Sequence, residues 1–252
     1  MKKRLVVANW KGYLERPEEA TTLLSALRCR VRVFSGVEVS IAAPYPLIPA
    51  VAHALKNSKI RVGAQALSAQ EAGAHTGEVS GAMLKALGVS LVIVGHSERR
   101  ALGENDASVH AQMTHAGKVG LTAVLCVGER ERDSSGAQFE FVQEQLATAL
   151  AGGPVSTTKL IIAYEPVWAI GKPSNEAATP ALVQEMSIFI RKVLTERFGR
   201  EGATRVPILY GGSVDASNAR ALLTEGAVAG FLVGRASTQL ESFMELLKLC
   251  KV

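Results

Sequence analysis

Three side chains in this sequence have chemically useful types, and each sits where a short apolar run stops. Lys11 follows the run 5–8, His96 follows 91–94 and Glu165 follows 160–163. A carboxylate, a neutral imidazole and an ammonium together suit removal of a proton from the carbon beside a carbonyl. The carboxylate takes the proton and returns it to the neighbouring carbon, the imidazole polarises the two oxygens, and the ammonium balances the negative charge of the enediolate. That chemistry requires no redox cofactor and no metal. His96 precedes Ser97-Glu98-Arg99-Arg100, a string able to open a helix whose amino-terminal dipole favours the uncharged ring. Taken singly, each residue has a plainer reading: Lys11 as a solvated lysine, His96 as a helix cap, Glu165 as one half of a structural ion pair. Glu165 is the hardest of the three to dismiss, because a carboxylate leaving an apolar strand costs desolvation energy unless it has a partner or a task. Their shared position at run ends weakens the three plain readings together.

The enediolate of a phosphorylated substrate expels phosphate if it escapes or twists out of plane, so this chemistry also calls for a lid and an anion pocket. Pro166, Val167, Trp168, Ala169, Ile170 and Gly171 follow the carboxylate directly and combine stiff, flexible and apolar positions, as a closing loop would. Backbone N–H groups at Gly171, Ser213, Gly234 and Arg235 could ring the phosphate, since glycine permits close approach. Taken one at a time, the same glycines could merely shape tight turns.

Eight short apolar or β-branched runs recur, at 5–8, 37–42, 60–65, 91–94, 121–127, 160–163, 206–210 and 229–233, and each reads as a strand buried on both faces. Between them, stripes such as Val142, Leu146, Ala149 and Leu150, or Leu182, Met186, Ile190 and Val193, repeat at helical spacing and predict core-facing helices. Each strand and helix together take roughly 32 residues, the length a strand-helix-strand unit consumes. The expected fold is therefore α/β, a closed (β/α)8 TIM barrel forming a single domain over residues 1–252, rather than an open doubly wound sheet. An open dinucleotide-binding sheet would carry Gly-x-Gly-x-x-Gly after its first strand, where this chain has Asn9-Trp10-Lys11-Gly12. In the closed form, residues just after each strand converge on one rim, which gathers Lys11, His96 and Glu165.

Composition narrows the class. With 252 residues, 48% hydrophobic and 20% charged, the chain has enough apolar surface for a large core. The net charge is +5, the basic residues are dispersed apart from Lys2-Lys3-Arg4 and Glu98-Arg99-Arg100, and aromatics are only 5%, which argues against a nucleic-acid platform. Cys29, Cys126 and Cys250 lie far apart with no Cys-x-x-Cys pair, which suggests neither a disulfide framework nor a zinc site and suits a reducing compartment. His110 and His115 are five apart, off the spacing of a helical metal pair, and read with His53 as structural or exposed. No apolar run approaches a membrane span, and the start of the chain does not read as a signal or anchor.

Asn9-Trp10-Lys11, the string from Gly95 to Arg100, the string from Ala163 to Gly171, and Tyr210-Gly211-Gly212-Ser213-Val214 closely resemble the triosephosphate isomerase family, in order and over nearly the whole chain. The resemblance implies interconversion of dihydroxyacetone phosphate and D-glyceraldehyde 3-phosphate in glycolysis and gluconeogenesis, without cofactor, in the cytoplasm. A glutamate base, a neutral histidine and a closing loop are that family's own arrangement. The resemblance thus implies Lys11, His96 and Glu165 as catalytic, with Asn9 at the substrate and Ser97 and Glu98 in support. It also implies a homodimer, with the segment 63–78 resembling the family's protruding third loop and Thr76 reaching Asn9 and Lys11 of the partner subunit.

Four departures stand out. Arg235 replaces a customary glycine, which would strain a turn needing positive φ. The string from Lys172 to Glu176 lengthens the lid, and Pro173 lacks an N–H to donate on closure. Gly12 and Tyr13 replace the commoner methionine and asparagine. The altered lid and Arg235 keep two alternatives in view: an isomerase for a four-carbon sugar phosphate, and a non-catalytic phosphosugar-binding relative.

Overall fold

The computed structural model describes residues 3–31, 34–153, 156–173 and 176–251. Met1, Lys2, Pro154 of the turn expected at 151–154, and Ser174 and Asn175 of the lengthened lid lie outside the described residues. The first half of the chain runs β1 (Arg4–Asn9), α1 (Pro17–Val31), β2 (Val37–Ala43), α2 (Ile48–Ala54), β3 (Arg61–Ala64), α3 (Gly81–Ala86) and β4 (Leu91–Val94). It continues through α4 (Ser97–Ala101), α5 (Asp106–Lys118), β5 (Thr122–Val127), α6 (Ala137–Ala149) and β6 (Leu160–Tyr164). It ends with α7 (Pro180–Arg205), β7 (Ile208–Tyr210), α8 (Ala219–Glu225), β8 (Gly230–Val233) and α9 (Leu240–Leu249).

All eight strands pair in parallel with their sequence neighbours, and β1 closes on β8 from Leu5 against Gly230 to Ala8 against Val233. The result is the closed (β/α)8 barrel that the eight-run pattern predicts. Each expected strand is present, though four are shorter at their ends: Ile60 and Gln65 fall outside β3, Leu121 outside β5, Val206 and Pro207 outside β7, and Ala229 outside β8. Pro207 has no N–H for a ladder and offers only its carbonyl, to Ile162 N at 3.0 Å.

The strands are apolar at consecutive positions because both faces are covered. Val6 and Ala8 face outward into the layer shared with the helices, while Val7 between them joins Ile93, Val124, Ile161, Leu209 and Leu232 inside the barrel. The helical stripes turn inward as expected: Val142, Leu146, Ala149 and Leu150 are buried, as are Met186 and Ile190, and Leu182 and Val193 are half-buried. Each fully buried leucine such as Leu146 contributes about 2 kcal/mol through removal from water. Short polar caps start the helices: Ser80 accepts from Met83 N ahead of α3, and Asn105 from Ser108 N ahead of α5. Gly199 (φ 69°) breaks α7 into two helices end to end.

Candidate active site

The carboxyl ends of the strands bring the three chemistry-bearing residues together. Glu165 comes one residue after β6 and is 2% exposed; His96 comes two residues after β4 and is 6% exposed. Glu165 Oε1 lies 3.2 Å from His96 Nε2, and Glu165 Oε2 accepts the Ser97 N–H at 3.0 Å. His96 caps α4 by accepting the Glu98 N–H on Nδ1 at 3.2 Å. A ring nitrogen that accepts a backbone N–H carries no proton, so this network assigns the hydrogen to Nε2. The contact with Glu165 Oε1 is not aligned as a hydrogen bond, and among the described residues that oxygen has no hydrogen-bond partner.

Lys11 joins through its side chain, whose Nζ meets Glu98 Oε1 at 2.6 Å. Its backbone has φ 47°, in the left-handed region that a lysine rarely adopts. Two contacts hold it there: the Lys11 N–H donates to Asn9 Oδ1 at 3.1 Å, and Gln65 Nε2 donates to the Lys11 carbonyl at 2.9 Å and to that of Ala42 at 3.2 Å. Buried Asn9 thus acts on the Lys11 backbone. The strain expected at Arg235 is instead carried by Lys11. Arg235 opens a short 3-10 turn, Arg235–Thr238, and is not among the described positive-φ residues, so its side chain fits without strain.

Glu165 is boxed in by neighbours that cannot grow. A Cβ on Gly128 would sit 1.8 Å from the Glu165 carbonyl oxygen, and one on Gly211 would sit 2.8 Å from Glu165 Cγ. Cys126, on β5 inside the barrel, lies against Glu165; burial, reinforced by that carboxylate, pushes its thiol well above the ordinary value.

The segment 166–171 follows directly. Val167–Ala169 forms a 3-10 turn with Val167 exposed. Buried Glu129 ties this turn down: its carbonyl accepts the Val167 N–H at 2.9 Å, and its Oε1 accepts both the Trp168 indole N–H and the Tyr164 hydroxyl at 2.8 Å. Arg132 stands 3.8 Å from that oxygen and pairs with Glu185. At the far end, Gly171 is exposed at φ 76°, and Ser213 Oγ donates to the Ala169 carbonyl at 3.2 Å. Gly234 packs beside Lys11, where a Cβ would lie 3.3 Å from Lys11 Cε. Ser213 therefore sits with the lid and Gly234 with the lysine, with Arg235 exposed beside it.

Residues 65–80 form a long connection without regular structure, and 71–78 are exposed, Thr76 included. His115, buried, anchors its base with Nδ1 2.9 Å from the Ser68 carbonyl, which is the structural role expected of it. His53 is exposed. Among the described residues no helix is long and apolar enough to cross a membrane.

Sequence reasoning missed the roles of Glu129, Gln65, Cys126 and Gly128, whereas Gly211 belongs to the glycine turn expected to face the pocket. Glu129 had a signal, being a carboxylate two residues past the run 121–127, by the same rule that singles out Glu165. The roles of the others depend on contacts across strands that no local pattern reveals.

A closed (β/α)8 barrel with a buried carboxylate and an uncharged imidazole on its carboxyl rim defines an aldose-ketose isomerase class of site. The triosephosphate isomerase family model matches residues 4–250. The chain is 42% identical over 251 residues to the triosephosphate isomerase of Carboxydothermus hydrogenoformans, covering 98% of this chain and 99% of that one. It is 42% identical over 252 residues to that of Thermus thermophilus, covering 99% of each. The crystal structure of triosephosphate isomerase from Bartonella henselae superposes with a TM-score of 0.87 at 35% identity, covering 98% of each chain. The chain belongs to the triosephosphate isomerase family and is an isomerase.

Proposed function

We propose that this enzyme interconverts dihydroxyacetone phosphate and D-glyceraldehyde 3-phosphate, with Glu165 as base, His96 as electrophile and Lys11 as charge-balancing cation. The supporting observation is that buried Glu165 and His96 meet at the carboxyl rim, Oε1 standing 3.2 Å from Nε2 while the ring accepts the Glu98 N–H on Nδ1. The carboxylate removes a proton from the carbon bearing the hydroxyl. The C–H electrons form the carbon-carbon double bond, and the carbonyl π pair moves onto oxygen, against the His96 N–H. The hydroxyl proton passes to the newly charged oxygen by way of the His96 ring, and protonation of the adjacent carbon by the same carboxyl completes the isomerisation. To act, Glu165 exchanges its Ser97 hydrogen bond for the substrate, and Lys11 exchanges Glu98 for substrate oxygens. Ser97 and Glu98 thereby hold both groups in readiness.

The phosphate occupies backbone N–H groups of Gly171, Ser213, Gly234 and Arg235, and the 166–171 lid closes over it, released from Glu129 and steered by Ser213. The exposed 71–78 segment, with Thr76, inserts into a second copy to form a homodimer, and the exposed apolar side chains Tyr13, Met83, Leu87 and Leu102 suit such a covered surface. The free thiols Cys29, Cys126 and Cys250 suit a cytoplasmic enzyme that acts on a small phosphorylated sugar rather than on nucleic acid or membrane. Family membership favours the three-carbon substrate over a four-carbon one, and the intact Lys11, His96 and Glu165 disfavour a silent binding relative.

Glu165→Asp withdraws the carboxylate by about one bond length, and turnover of glyceraldehyde 3-phosphate should fall on the order of 10²-fold or more. Undiminished turnover would remove Glu165 as the base. A higher kcat/KM for a four-carbon phosphate would replace the substrate assignment.

A further inference from the structure

The opposite end of the barrel carries a second built feature. At the amino-terminal mouth, the starts of β1 and β2, the carboxyl-terminal half of α7 and the segment 227–229 ahead of β8 enclose an open groove of about 1070 Å³. Lys3, Arg4, Arg191, Arg200 and Arg205 line it, against two carboxylates, Glu38 and Glu201. Both carboxylates are engaged: Glu38 by Lys3 at 3.0 Å and Arg61 at 3.4 Å, and Glu201 by Arg205. Among the described residues no carboxylate lies within 4 Å of Arg4, Arg191 or Arg200.

Arg191 is the telling member. It comes from the middle of α7 and is half-buried; its Nη1 donates to the carbonyls of Ala203 and Val206, the latter at 2.7 Å. Arg4 likewise donates to the Val228 carbonyl at 2.8 Å and the Leu223 carbonyl at 3.4 Å. Carbonyl dipoles orient a guanidinium without cancelling its charge. Desolvation accordingly lowers the Arg191 pKa from its ordinary value, the response of a cation left without a counter-ion. Two oriented forks with uncancelled charge and an exposed third arginine in one concave site form a receptor for a planar or tetrahedral oxyanion.

We infer that this groove binds a small anion carrying a diphosphate unit, at a site separate from the reaction. The excess of three positive charges in the lining matches the charge of a diphosphate near neutral pH. Four of the five cations are arginine, the side chain whose fork fits phosphate oxygens in pairs. Among the described residues no aromatic ring lines the groove, so they offer no base-stacking surface of the kind single-stranded nucleic acid uses. The walls join segments nearly two hundred residues apart in the chain, so the ligand recognises only the folded barrel and stabilises it by mass action.

The test is a calorimetric titration of the intact enzyme with inorganic pyrophosphate, run beside its inhibition of isomerisation, because the catalytic phosphate pocket also accepts anions. The expected result is a dissociation constant tighter than the inhibition constant. Arg200→Glu, at an exposed helix position, should weaken that binding at least tenfold while leaving the inhibition constant, kcat and KM unchanged. Arg191→Lys, which keeps the charge and loses the fork, should weaken it severalfold. Citrate, of similar charge without phosphate geometry, should bind at least tenfold more weakly. The inference is overturned if binding and inhibition constants coincide and neither variant moves them, if no pyrophosphate binds beyond the catalytic pocket, or if citrate binds equally well. Binding of duplex DNA in place of pyrophosphate, lost in Arg200→Glu, would likewise overturn it.

Discussion

The two ends of this barrel use charge in opposite ways. At the carboxyl rim the charged groups face one another: Glu165 against His96, and Lys11 on Glu98, with a strained lysine backbone held by Asn9 and Gln65. At the amino-terminal mouth Arg4 and Arg191 face carbonyls and keep their charge uncancelled. The strand interiors between the two ends are mainly apolar, so the difference arises at the two ends of the strands and along α7. The contrast teaches that one scaffold separates a poised, internally balanced site from a charged receptor by the length of a strand.

The largest expected asymmetry is in turnover. Glu165→Asp should lower kcat on the order of 10²-fold or more, whereas Arg200→Glu should leave steady-state rates unaltered. Equal losses from both ends would erase the distinction. Packing at the rim should be nearly as unforgiving. Gly128→Ala puts a Cβ 1.8 Å from the Glu165 carbonyl oxygen, so strands β5 and β6 must part, at a cost of about 2–3 kcal/mol in denaturant unfolding together with reduced turnover. Wild-type stability in that variant would show the close approach to be relaxed in solution.

A smaller effect sharpens the picture of the lid. Glu129→Gln weakens the shared acceptor of Trp168 and Tyr164 and should cost about 1–2 kcal/mol. Trp168 should report it as a change in fluorescence, and KM should shift more than the dissociation constant for pyrophosphate at the distant mouth. An unchanged Trp168 signal would mean that Glu129 does not restrain the lid.

The smallest expected effect is a slope with pH. Burial raises the Tyr210 hydroxyl from 10.0 to about 12 and the Cys250 thiol from 9.0 to about 12; Tyr164, beside Glu129, is raised further by burial first and that carboxylate second. The folded chain keeps these protons at pH values where the unfolded chain releases them, so the unfolded state binds fewer protons and alkali favours unfolding. The stabilisation is complete below about pH 9 and is lost as pH rises towards 12, by about 1 kcal/mol per pH unit for each titrating group. Chemical denaturation between pH 8 and 11 measures it, and Tyr210→Phe should flatten the slope. A stability that rises over that range would contradict the burial argument.

Much of the rim was legible before any coordinates. Lys11, His96 and Glu165 each follow an apolar run, and a closed parallel barrel sends every such position to the same edge. Glu129 obeys the same rule and was overlooked because nothing local distinguishes it from an exposed acidic residue in the string from Glu129 to Asp133. The amino-terminal groove was not legible at all. Arg191 and Arg200 look like dispersed surface charge along the chain, far from the basic run Lys2-Lys3-Arg4, and only the return of α7 beneath β1 gathers them with Lys3 and Arg4.

Periodicity and the order of polar residues after apolar runs therefore determined the architecture and which polar side chains gather at the carboxyl rim, because burial on two faces dictates strand composition and parallel connection dictates which ends converge. Tertiary structure alone decided the rest: the positive φ at Lys11, the unstrained turn at Arg235, the glycine clearances around Glu165 and the uncancelled charge of Arg191. Each of those depends on distances between segments remote in sequence, and a steric clash or an unpaired charge exists only once the chain has closed upon itself.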